Sequence, residues 1–401
     1  MATTPKETLE VLVVGAGPVG MLTALCLSER GVRVAIVDKY RRSALHSYAL
    51  ALHPASLRLL DELGLAEAIV ERGERTREIA VYTGGEPVAT LDLGRLAGRF
   101  PFVLVLPQTL LEGALEKRLA ENGVEILWGH SLLAFDDEGD SVTALVAEIP
   151  DDDAPDDAEV STAHARASFV VGADGHDSLV RRLLPAPTRE VGNRLTYGLL
   201  EFEASMEHRD RMTLIFNDRS TDVLWPLGAE RGRWGVQLES GAQEIDAPRL
   251  WEIVRERAPW FDPDACTVEW LTAVSFQPRL AKPLGRGRVW LVGDAAHTAG
   301  PLGVQSMNVG LREGHDLARR LSGILREGDS SKLLRYYHDD RNREWKVLLG
   351  MHDRMRYLPD APEWARKLAG RLVSSLPASG RDLNILLEQM GLRVHWLRRK
   401  N

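Results

Sequence analysis

The feature that most constrains the fold is a glycine pattern near the start of the chain. Gly15, Gly17 and Gly20 have the spacing G-x-G-x-x-G and follow a short apolar run at residues 11–14. Between a strand and a helix, this pattern permits a sharp turn, close approach of the backbone to phosphates and tight helix packing. The start of the helix then presents free N–H groups and the positive end of its dipole to an anion. The pattern predicts a dinucleotide-binding α/β unit.

The residues that follow complete a β-α-β unit. Residues 21–30 have the pattern of a helix ended by Gly31, and residues 32–37 form a second apolar run that stops at Asp38. A carboxylate about 20 residues beyond the last glycine commonly accepts hydrogen bonds from an adenosine ribose. We expect this contact from Asp38. The pattern alone does not separate NAD from FAD.

Composition and charge narrow the class of protein. The chain has 401 residues, of which 44% are hydrophobic and 27% charged, and these values are typical of a globular protein with two or three domains. Its formal net charge of -8, without a basic stripe, argues against a nucleic acid partner. The chain has only two cysteines, Cys26 and Cys266, which are too few to form a disulfide framework or a metal cluster. We expect free thiols, no metal site and, since the N-terminus lacks a signal peptide pattern, a cytoplasmic protein.

The pattern of the chain changes in its middle third. Short alternating stretches between residues 196 and 274 predict an antiparallel sheet, interrupted by a helix at residues 248–257. From Asn308 onward the pattern is mainly helical. Elsewhere we predict helices at residues 53–63 and 109–122, and strands at residues 124–128, 142–149, 169–172 and 289–292.

Two later segments carry further aspartates at the ends of apolar runs. They are residues 171–181, VGADGHDSLVR, and residues 293–308, GDAAHTAGPLGVQSMN. Ligands of open α/β sheets bind at such strand ends. With the first glycine pattern, and in this order, the segments resemble the FAD-dependent aromatic hydroxylases, the class A flavoprotein monooxygenases of the p-hydroxybenzoate hydroxylase type. The resemblance covers roughly residues 10–65, 100–185 and 270–325.

The resemblance implies an α/β fold with two parts. A Rossmann-like FAD-binding domain, a parallel sheet with helices, would carry an inserted antiparallel-sheet substrate domain and C-terminal helices. We expect the FAD-binding domain at residues 1–185 and 279–325, the substrate domain at residues 186–278 and the helical region at residues 326–401.

The resemblance also assigns individual residues to the cofactor. Asp294 would hold the ribityl chain of FAD, and the helix start after residues 301–303 would face the pyrimidine edge of the flavin, where a reduced flavin carries negative charge. Asp174, Gly175, Ser178 and Arg181 match a motif associated with FAD and nicotinamide nucleotide. The expected cofactor-binding residues are Gly15, Gly17, Pro18, Val19, Gly20, Asp38, Lys39, Gln108, Asp174, Gly175, Arg181, Gly293, Asp294, Pro301, Gly303, Met307 and Asn308.

Structural alternatives stay open for three of these motif residues. Asp174 could cap a turn through its side chain, and Arg181 could pair with a surface acid. His297 has the position of a packed strand-end residue. The sequence also departs from the family pattern: Tyr48 stands at the place of a cofactor-contacting arginine, and Val304 and Ser306 replace glycines beside the flavin. These extra side chains would narrow that part of the site.

The implied activity uses NAD(P)H as co-substrate and O2. Through a flavin C4a-hydroperoxide, the enzyme would hydroxylate or epoxidise a small aromatic or polyketide-like substrate. No protein nucleophile is needed, and no catalytic residue is assigned; Arg194, Tyr197 and His46 are open candidates for a base or a charge partner. The substrate would lie between the flavin and the inserted sheet. Candidate pocket residues, each equally a candidate for the core, are Tyr197, Phe216, Trp225, Trp234, Phe276 and Gln277.

Other functions remain possible at this point. A flavin-dependent double-bond reductase or halogenase would share the fold, although the Trp-x-Trp-x-Ile-Pro motif of halogenases is absent. A non-catalytic binding protein on this fold is the alternative from another class. We expect a monomer or homodimer whose partners are a small-molecule substrate and O2. The basic amphipathic tail from Trp364 onward could lie on a membrane surface, but packing on the rest of the protein is preferred.

Overall fold

The computed structural model describes residues 9–41, 51–150, 160–184, 188–205, 209–239, 245–350 and 355–395. Two residues singled out above, His46 and Tyr48, lie outside these ranges, as do residues 396–401 of the basic tail. The acidic run PDDDAPDDAE at residues 150–159, whose composition predicts a solvated hairpin tip, is described only at residue 150.

The first sheet has eight strands and a parallel centre. Leu9–Val14 lies between Thr162–Gly172 and Val34–Asp38 and pairs with both in parallel. Val11 and Val13 are fully buried, which explains why the strand is a continuous apolar run rather than an alternating one. The strand order is Gly285–Arg286, Val289–Leu291, Thr162–Gly172, Leu9–Val14, Val34–Asp38 and Ile126–Trp128, with Val142–Glu148 and His130–Asp137 added antiparallel beside Thr162–Gly172.

Helices cover the first sheet. The Pro18–Ser28 helix begins with a proline, whose missing N–H costs nothing in the first turn. It packs against the Gln108–Glu121 and Gln305–Ser322 helices, and nearly all of its residues are buried. The predicted β-α-β unit and the helices near residues 53–63 and 109–122 are confirmed. The other helices are Pro54–Glu62, Ala66–Val70, Leu179–Leu183, Ala247–Arg257, Lys332–Leu348, Glu363–Ser375 and Gly380–Glu388.

The second sheet has seven strands and covers two separate cores. All five strands predicted between residues 196 and 274 are present and antiparallel to one another. Two further strands, from residues 78–92, extend the sheet, and Glu78–Thr83 pairs in parallel with Arg211–Phe216. The strand order is Thr267–Phe276, Leu195–Glu203, Arg231–Leu238, Thr221–Pro226, Arg211–Phe216, Glu78–Thr83 and Glu86–Asp92. The sheet is therefore not built from the predicted insert alone, and the domain boundaries stay a prediction.

The chain after residue 304 is mainly helical, as predicted. The last two helices bury their apolar side chains, since Leu376, Leu386 and Leu387 are fully enclosed. These side chains are thus not available to a bilayer surface, which supports packing over membrane contact. Among the described residues, the helices are too short or too polar to cross a membrane. Three small sheets complete the fold: Ala51–Leu52 with Val103–Val105 and Glu74–Thr76; Thr188–Glu190 with Arg279–Ala281 and His297–Thr298; and Met355–Tyr357 with Leu392–Val394.

Candidate functional site

The glycine turn is shaped by close backbone contacts. Gly15 has a φ of 109°, and a Cβ there would lie 2.3 Å from the Ala173 carbonyl oxygen; a Cβ on Gly20 would lie within 1.9 Å of the Gly15 oxygen. Both positions exclude any side chain. Gly17 differs, because a Cβ there would meet nothing within 4 Å. Gly17 therefore presents bare backbone to open space at the start of the Pro18–Ser28 helix.

Asp38 ties the end of the second strand to this turn. One of its carboxylate oxygens accepts the Ala16 N–H at 2.6 Å, and the other accepts the Tyr40 N–H at 2.8 Å. A carboxylate has about four acceptor sites, so capacity remains for a sugar hydroxyl. Asp38 thus lies where the sequence predicted it, at the mouth of the turn.

A cavity of about 350 Å³ opens in front of the turn, and charged and polar side chains form part of its lining. It is lined by Gly15, Gly17, Asp38, Lys39, Asp174 and Gly175, all of which the sequence predicted. Gln108, also predicted, lies here and donates a hydrogen bond to Glu112 at 2.7 Å. We call this space the first cavity.

Some lining residues of the first cavity were missed. Glu112 is buried one turn beyond Gln108. Trp128 ends the strand next to Val34–Asp38, and His130 and Ser131 begin the strand that follows it. The signal for Glu112 was its i, i+4 spacing from Gln108. For the strand end there was no local signal, because its position beside the second strand is a long-range contact.

The two carboxylate oxygens of Asp174 have different hydrogen-bonding environments. One oxygen accepts the N–H groups of Leu179 and Val180 at 2.7 and 3.1 Å, so it caps the Leu179–Leu183 helix as the structural alternative expected. The other oxygen is buried and has no hydrogen-bond partner among the described residues. Because a buried acceptor without a partner is costly, this oxygen indicates a missing donor in the cavity.

Arg181 connects the segment at residues 171–181 to the segment at residues 293–308. Its guanidinium is buried and donates to the backbone oxygens of His176 at 2.6 Å and Ala295 at 2.8 Å. Burial lowers its pKa from the usual value. The alternative of a surface ion pair is therefore wrong. Arg181 is not among the residues that line either cavity, so it supports the site through the backbone beside Asp294.

A second cavity, also of about 350 Å³, continues from the first. Gly17, Gln108, Ala173 and Gly175 line both, so the two spaces share a wall. The second cavity is more apolar. Its further lining includes the predicted residues Pro18, Val19, Asp294, Pro301 and Met307, and the pocket candidate Phe276.

The loop that carries Asp294 is anchored from behind. Glu313, which is fully buried, accepts hydrogen bonds from the Trp345 indole at 2.6 Å and the Gly293 N–H at 3.3 Å. It also binds the His297 imidazole at 2.5 Å, and that ring stacks on Trp345. His297 is thus the packed strand-end residue that the structural alternative described. Burial raises the pKa of Asp294, and the nearby His297 is the strongest group opposing that rise.

Besides Gly20 and Arg181, three further predicted cofactor residues support the site without lining either cavity. Gly293 is buried against Val19. A Cβ on Gly303 would lie 2.8 Å from the Ser374 oxygen, so the C-terminal segment packs directly on this glycine. Asn308 is buried and donates to the backbone oxygens of Ala51 and Val304. The expectation of direct cofactor contact is corrected for these residues, because each fixes the backbone that does line the cavity.

Ser306, one of the departures from the family pattern, lies in the cavity wall. Its hydroxyl accepts the Ala299 N–H at 3.0 Å, and it lines the second cavity beside Val304. Thr298, Ala299 and Gly300 also line this cavity and were missed. Their position within the third motif was the available signal.

The aromatic pocket candidates divide between the two faces of the second sheet. Tyr197 is buried on the cavity side, with its ring edge-on to Phe276 at 6.3 Å. Trp225 lines a void of about 20 Å³ together with Pro301 and Val304. These three aromatic residues therefore lie in or beside the second cavity.

The remaining candidates do not form the pocket wall. Trp234 is 1% exposed and packs on the opposite face of the sheet with Trp260 and Phe261, so its assignment to the pocket is wrong. Strand alternation places neighbouring residues on opposite faces, and no local pattern indicated which face was which. Phe216 packs beneath the guanidinium of Arg371. Gln277 bonds the Gly192 oxygen and accepts a hydrogen bond from Thr298 through its backbone.

Comparisons with known proteins agree with this arrangement. Residues 8–349 match the family described as FAD binding domain. The 6-methylpretetramide 4-monooxygenase of Streptomyces rimosus is 33% identical over 83% of this chain and 59% of its own length. The para-nitrophenol 4-monooxygenase of Pseudomonas sp. is 30% identical over 84% of each chain. The crystal structure of p-nitrophenol 4-monooxygenase from Pseudomonas putida superposes with a TM-score of 0.75 at 24% identity, covering 96% of this chain and 97% of that one.

The lengths of these relatives differ. The chain spans 59% of the first relative but 84% of the second, so the relatives share a common part and carry different additions. The superposition shows that this common part has the same fold.

Proposed function

Because the chain belongs to the FAD binding domain family, we propose that it is an FAD-dependent monooxygenase that uses NAD(P)H and O2 to hydroxylate an aromatic substrate. The observation that carries the proposal is the pair of joined cavities. A space in front of a glycine turn, with carboxylates in its lining, leads into a more apolar space beside Asp294 and a helix start. FAD needs these two environments in the same order, since its adenosine and pyrophosphate need polar partners and its flavin ring needs an apolar wall.

The residues present fit FAD at its adenosine end. Gly17 leaves the approach to the helix start open for a pyrophosphate, since no atom occupies the place of its missing Cβ. Asp38 retains acceptor capacity for ribose hydroxyls. Asp174 lines the same cavity, and its unpartnered oxygen would accept a hydrogen bond from the cofactor or its bound water.

The residues of the second cavity fit the flavin end. Asp294 would accept hydrogen bonds from ribityl hydroxyls, and Met307 and Pro301 supply apolar contact. The Gln305–Ser322 helix begins at this cavity, and its first N–H groups favour negative charge nearby. When bound, FAD supplies the redox chemistry, taking hydride from NAD(P)H and activating O2 for oxygen transfer. The protein residues would bind and orient the cofactor and the substrate, and would exclude water from the site.

The substrate would lie beside Phe276 and Tyr197. Burial raises the pKa of Tyr197 above its usual value, so its hydroxyl stays protonated at neutral pH and serves as a hydrogen-bond donor rather than a base. That hydroxyl lies 3.4 Å from the Gln237 amide oxygen. Among the other candidates for a base, Arg194 is exposed and His46 lies outside the described residues.

The names of the relatives indicate the substrate class. One acts on 6-methylpretetramide and the other on para-nitrophenol, so a phenol or a fused-ring aromatic compound is the substrate class we infer. The apolar wall that Phe276 and Met307 form suits a flat ring. A cytoplasmic location and a monomeric or homodimeric state belong to the same proposal, and light scattering of the purified chain checks the oligomeric state.

The proposal is tested by following NAD(P)H oxidation by the FAD-loaded chain with phenols and fused-ring aromatic compounds. We expect a substrate that accelerates oxidation and a product heavier by one oxygen atom, with the label recovered from ¹⁸O2. Product formation under strict anaerobiosis would indicate a reductase instead. A chain that binds no FAD would overturn the proposal and favour a binding protein.

A further inference from the structure

Val304 has an unusual backbone. Its φ of 48° and ψ of 38° are left-handed, and it is the only non-glycine residue with a positive φ in the described part of the chain. A β-branched side chain makes this conformation costly, so it persists only where surrounding contacts enforce it. Val304 precedes the Gln305–Ser322 helix and lines the second cavity. The strain therefore lies in the wall of the proposed flavin site.

Buried side chains hold the peptide groups on both sides of Val304. The His53 imidazole binds the Gly303 oxygen at 2.8 Å, and the Asn308 amide donates to the Val304 oxygen at 2.9 Å. The Gln305 amide donates to the Leu376 and Ala378 oxygens at 2.6 and 2.9 Å. Each of the three holding side chains is at most 1% exposed. His53 and Asn308 thus fix the directions of the carbonyl groups on either side of Val304, and Gln305 ties the start of the helix to the C-terminal segment.

His53 is suited to a permanent hydrogen bond. A carbonyl oxygen only accepts, so the Nε2 of His53 carries the hydrogen and donates it. Burial lowers the pKa of His53 to about 3, which keeps the ring neutral. Its Nδ1 has no partner among the described residues, so the bond to Gly303 is the ring's contribution to this site. His53 lies 250 residues from Gly303, outside every motif of the cofactor site.

We propose that His53 is a positioning residue that holds the Gly303 carbonyl and thereby keeps Val304 in its left-handed conformation at the wall of the flavin site. The inference rests on the proposed function. His53 touches neither cavity itself; it acts through the loop of residues 301–304. Without this bond, the loop relaxes toward an unstrained backbone, and the start of the following helix shifts relative to Asp294.

A double-mutant cycle between His53 and Val304 tests the inference. His53→Leu removes the donor, and Val304→Gly removes the strain that the donor opposes. We expect His53→Leu to raise the FAD dissociation constant at least roughly tenfold in the otherwise unaltered chain, but no more than about threefold when Val304→Gly is already present. Equal losses in the two backgrounds would overturn the proposal. FAD fluorescence quenching measures each constant.

A conservative variant separates positioning from mere packing. The amide nitrogen of glutamine reaches about where Nε2 lies, so His53→Gln should keep FAD affinity within about threefold of the unaltered chain. If it binds as weakly as His53→Leu, the hydrogen bond is not responsible. Should His53→Leu fail to fold, His53→Asn, whose shorter amide does not reach Gly303, takes its place. His338→Leu is the matched control, since His338 lies away from both cavities.

The strain at Val304 has its own test, which needs no FAD. At ordinary positions alanine is more stable than glycine, whereas at a left-handed position glycine is favoured. Thermal melting should therefore place Val304→Gly above Val304→Ala, and Val309→Ala above Val309→Gly in the same helix. The same order at both positions would contradict the inference. If the unaltered chain binds no FAD, the proposed function fails, but thermal melting still decides the inference. In that case we expect His53→Leu to lower the melting temperature less when Val304→Gly is also present than in the otherwise unaltered chain.

Discussion

The two cavities differ in how the chain builds them. The first is formed around the tight glycine turn and the ends of adjacent strands, and its charged lining includes Asp38, Lys39 and Asp174. The second is more apolar, with lining from residues 17–19, 276 and parts of 292–307, and it is held from behind by residues that do not line it. An adenosine end needs backbone N–H groups and carboxylates, and the turn with Asp38 supplies the local part of these. A flavin end needs a shaped apolar wall, which here depends on buried residues behind the wall.

The largest effect should come from closing the first cavity at its open glycine. Gly17→Val places a branched side chain in space that is now empty, where the pyrophosphate would lie. We expect FAD affinity to fall by roughly a thousandfold or more, about 4 kcal/mol, while the thermal melting temperature stays close to that of the unaltered chain. Fluorescence titration and melting curves measure the two quantities.

Gly20→Ala is the contrasting variant. Its Cβ would overlap the Gly15 oxygen, so the turn itself must move. We expect this variant to lose stability together with binding. If Gly17→Val also unfolds, or if it binds FAD normally, the first cavity is not the pyrophosphate site.

The second-largest effect should be at Asp294, in the second cavity. Asp294→Ala removes the acceptor for ribityl hydroxyls, and losing a charged hydrogen-bond acceptor costs about 2–3 kcal/mol, roughly a hundredfold in affinity. FMN and FAD should both bind more weakly, whereas ADP should bind as before. Calorimetric titration with the three ligands measures this. A loss of ADP binding would show that the two cavities do not divide the cofactor in this way.

Asp294 also predicts how stability depends on pH. Burial raises its pKa above the ordinary 3.8, so the folded chain holds this proton more tightly than the unfolded chain does. Stability contributed by the group therefore falls as pH rises from 3.8 through the raised value. We expect Asp294→Asn without FAD to be more stable than the unaltered chain at pH 7 to 8, with the difference vanishing toward roughly pH 4. Urea unfolding across this range checks it, and a constant difference would contradict the assignment.

A smaller effect should follow from Arg181, which supports the second cavity indirectly. Arg181→Met keeps much of the volume but leaves the His176 and Ala295 carbonyl groups without their donor. Unsatisfied buried groups cost about 1–3 kcal/mol each, so the chain should be less stable and FAD affinity should fall roughly tenfold. Arg95→Met, at an exposed arginine that lines neither cavity, is the control. If Arg181→Met leaves melting temperature and affinity unchanged, the link between the two motifs is not needed.

The smallest effect should be at Asp38. Asp38→Asn keeps an acceptor oxygen but replaces the other with a donor, which opposes the Ala16 or the Tyr40 N–H. We expect ADP affinity to fall roughly threefold to tenfold, about 1 kcal/mol, with FMN affinity unchanged. Competition of each ligand against FAD measures the difference. Equal losses of ADP and FMN affinity would contradict the assignment of Asp38 to the adenosine end of the cofactor.

The same contrast explains what the sequence could predict. The turn at residues 15–20 and Asp38 form local contacts, so spacing was sufficient to place them. Asp294 was found through its motif and lies in the predicted place. Asn308 and Arg181 match the family motifs, but their side chains bond backbone oxygens instead of lining a cavity. Only the three-dimensional contacts separate these two roles.

Other parts of the site could not be predicted because their partners are far apart. His53 meets Gly303 across 250 residues, and nothing near either position indicates the other. Trp234 was placed on the wrong face: its strand alternates Arg233 and Gln237 with Trp234 and Val236, but this local alternation does not indicate which face of the sheet meets the cofactor site. The strands at residues 78–92 flank a Gly-Gly turn signal at residues 84–85 that is typical of a hairpin, but their pairing with Arg211–Phe216 is a long-range contact that no local pattern indicates.

The central claim is that one FAD molecule occupies both cavities, with adenosine in the first and flavin in the second. The most direct measurement is calorimetric titration of the purified chain with AMP and FMN, the two halves of FAD, separately and in sequence. The account predicts that each ligand binds once, that FMN binds to the AMP-saturated chain, and that FAD displaces both. If FMN and AMP exclude one another, or if FAD displaces only one of them, the two cavities do not hold a single cofactor.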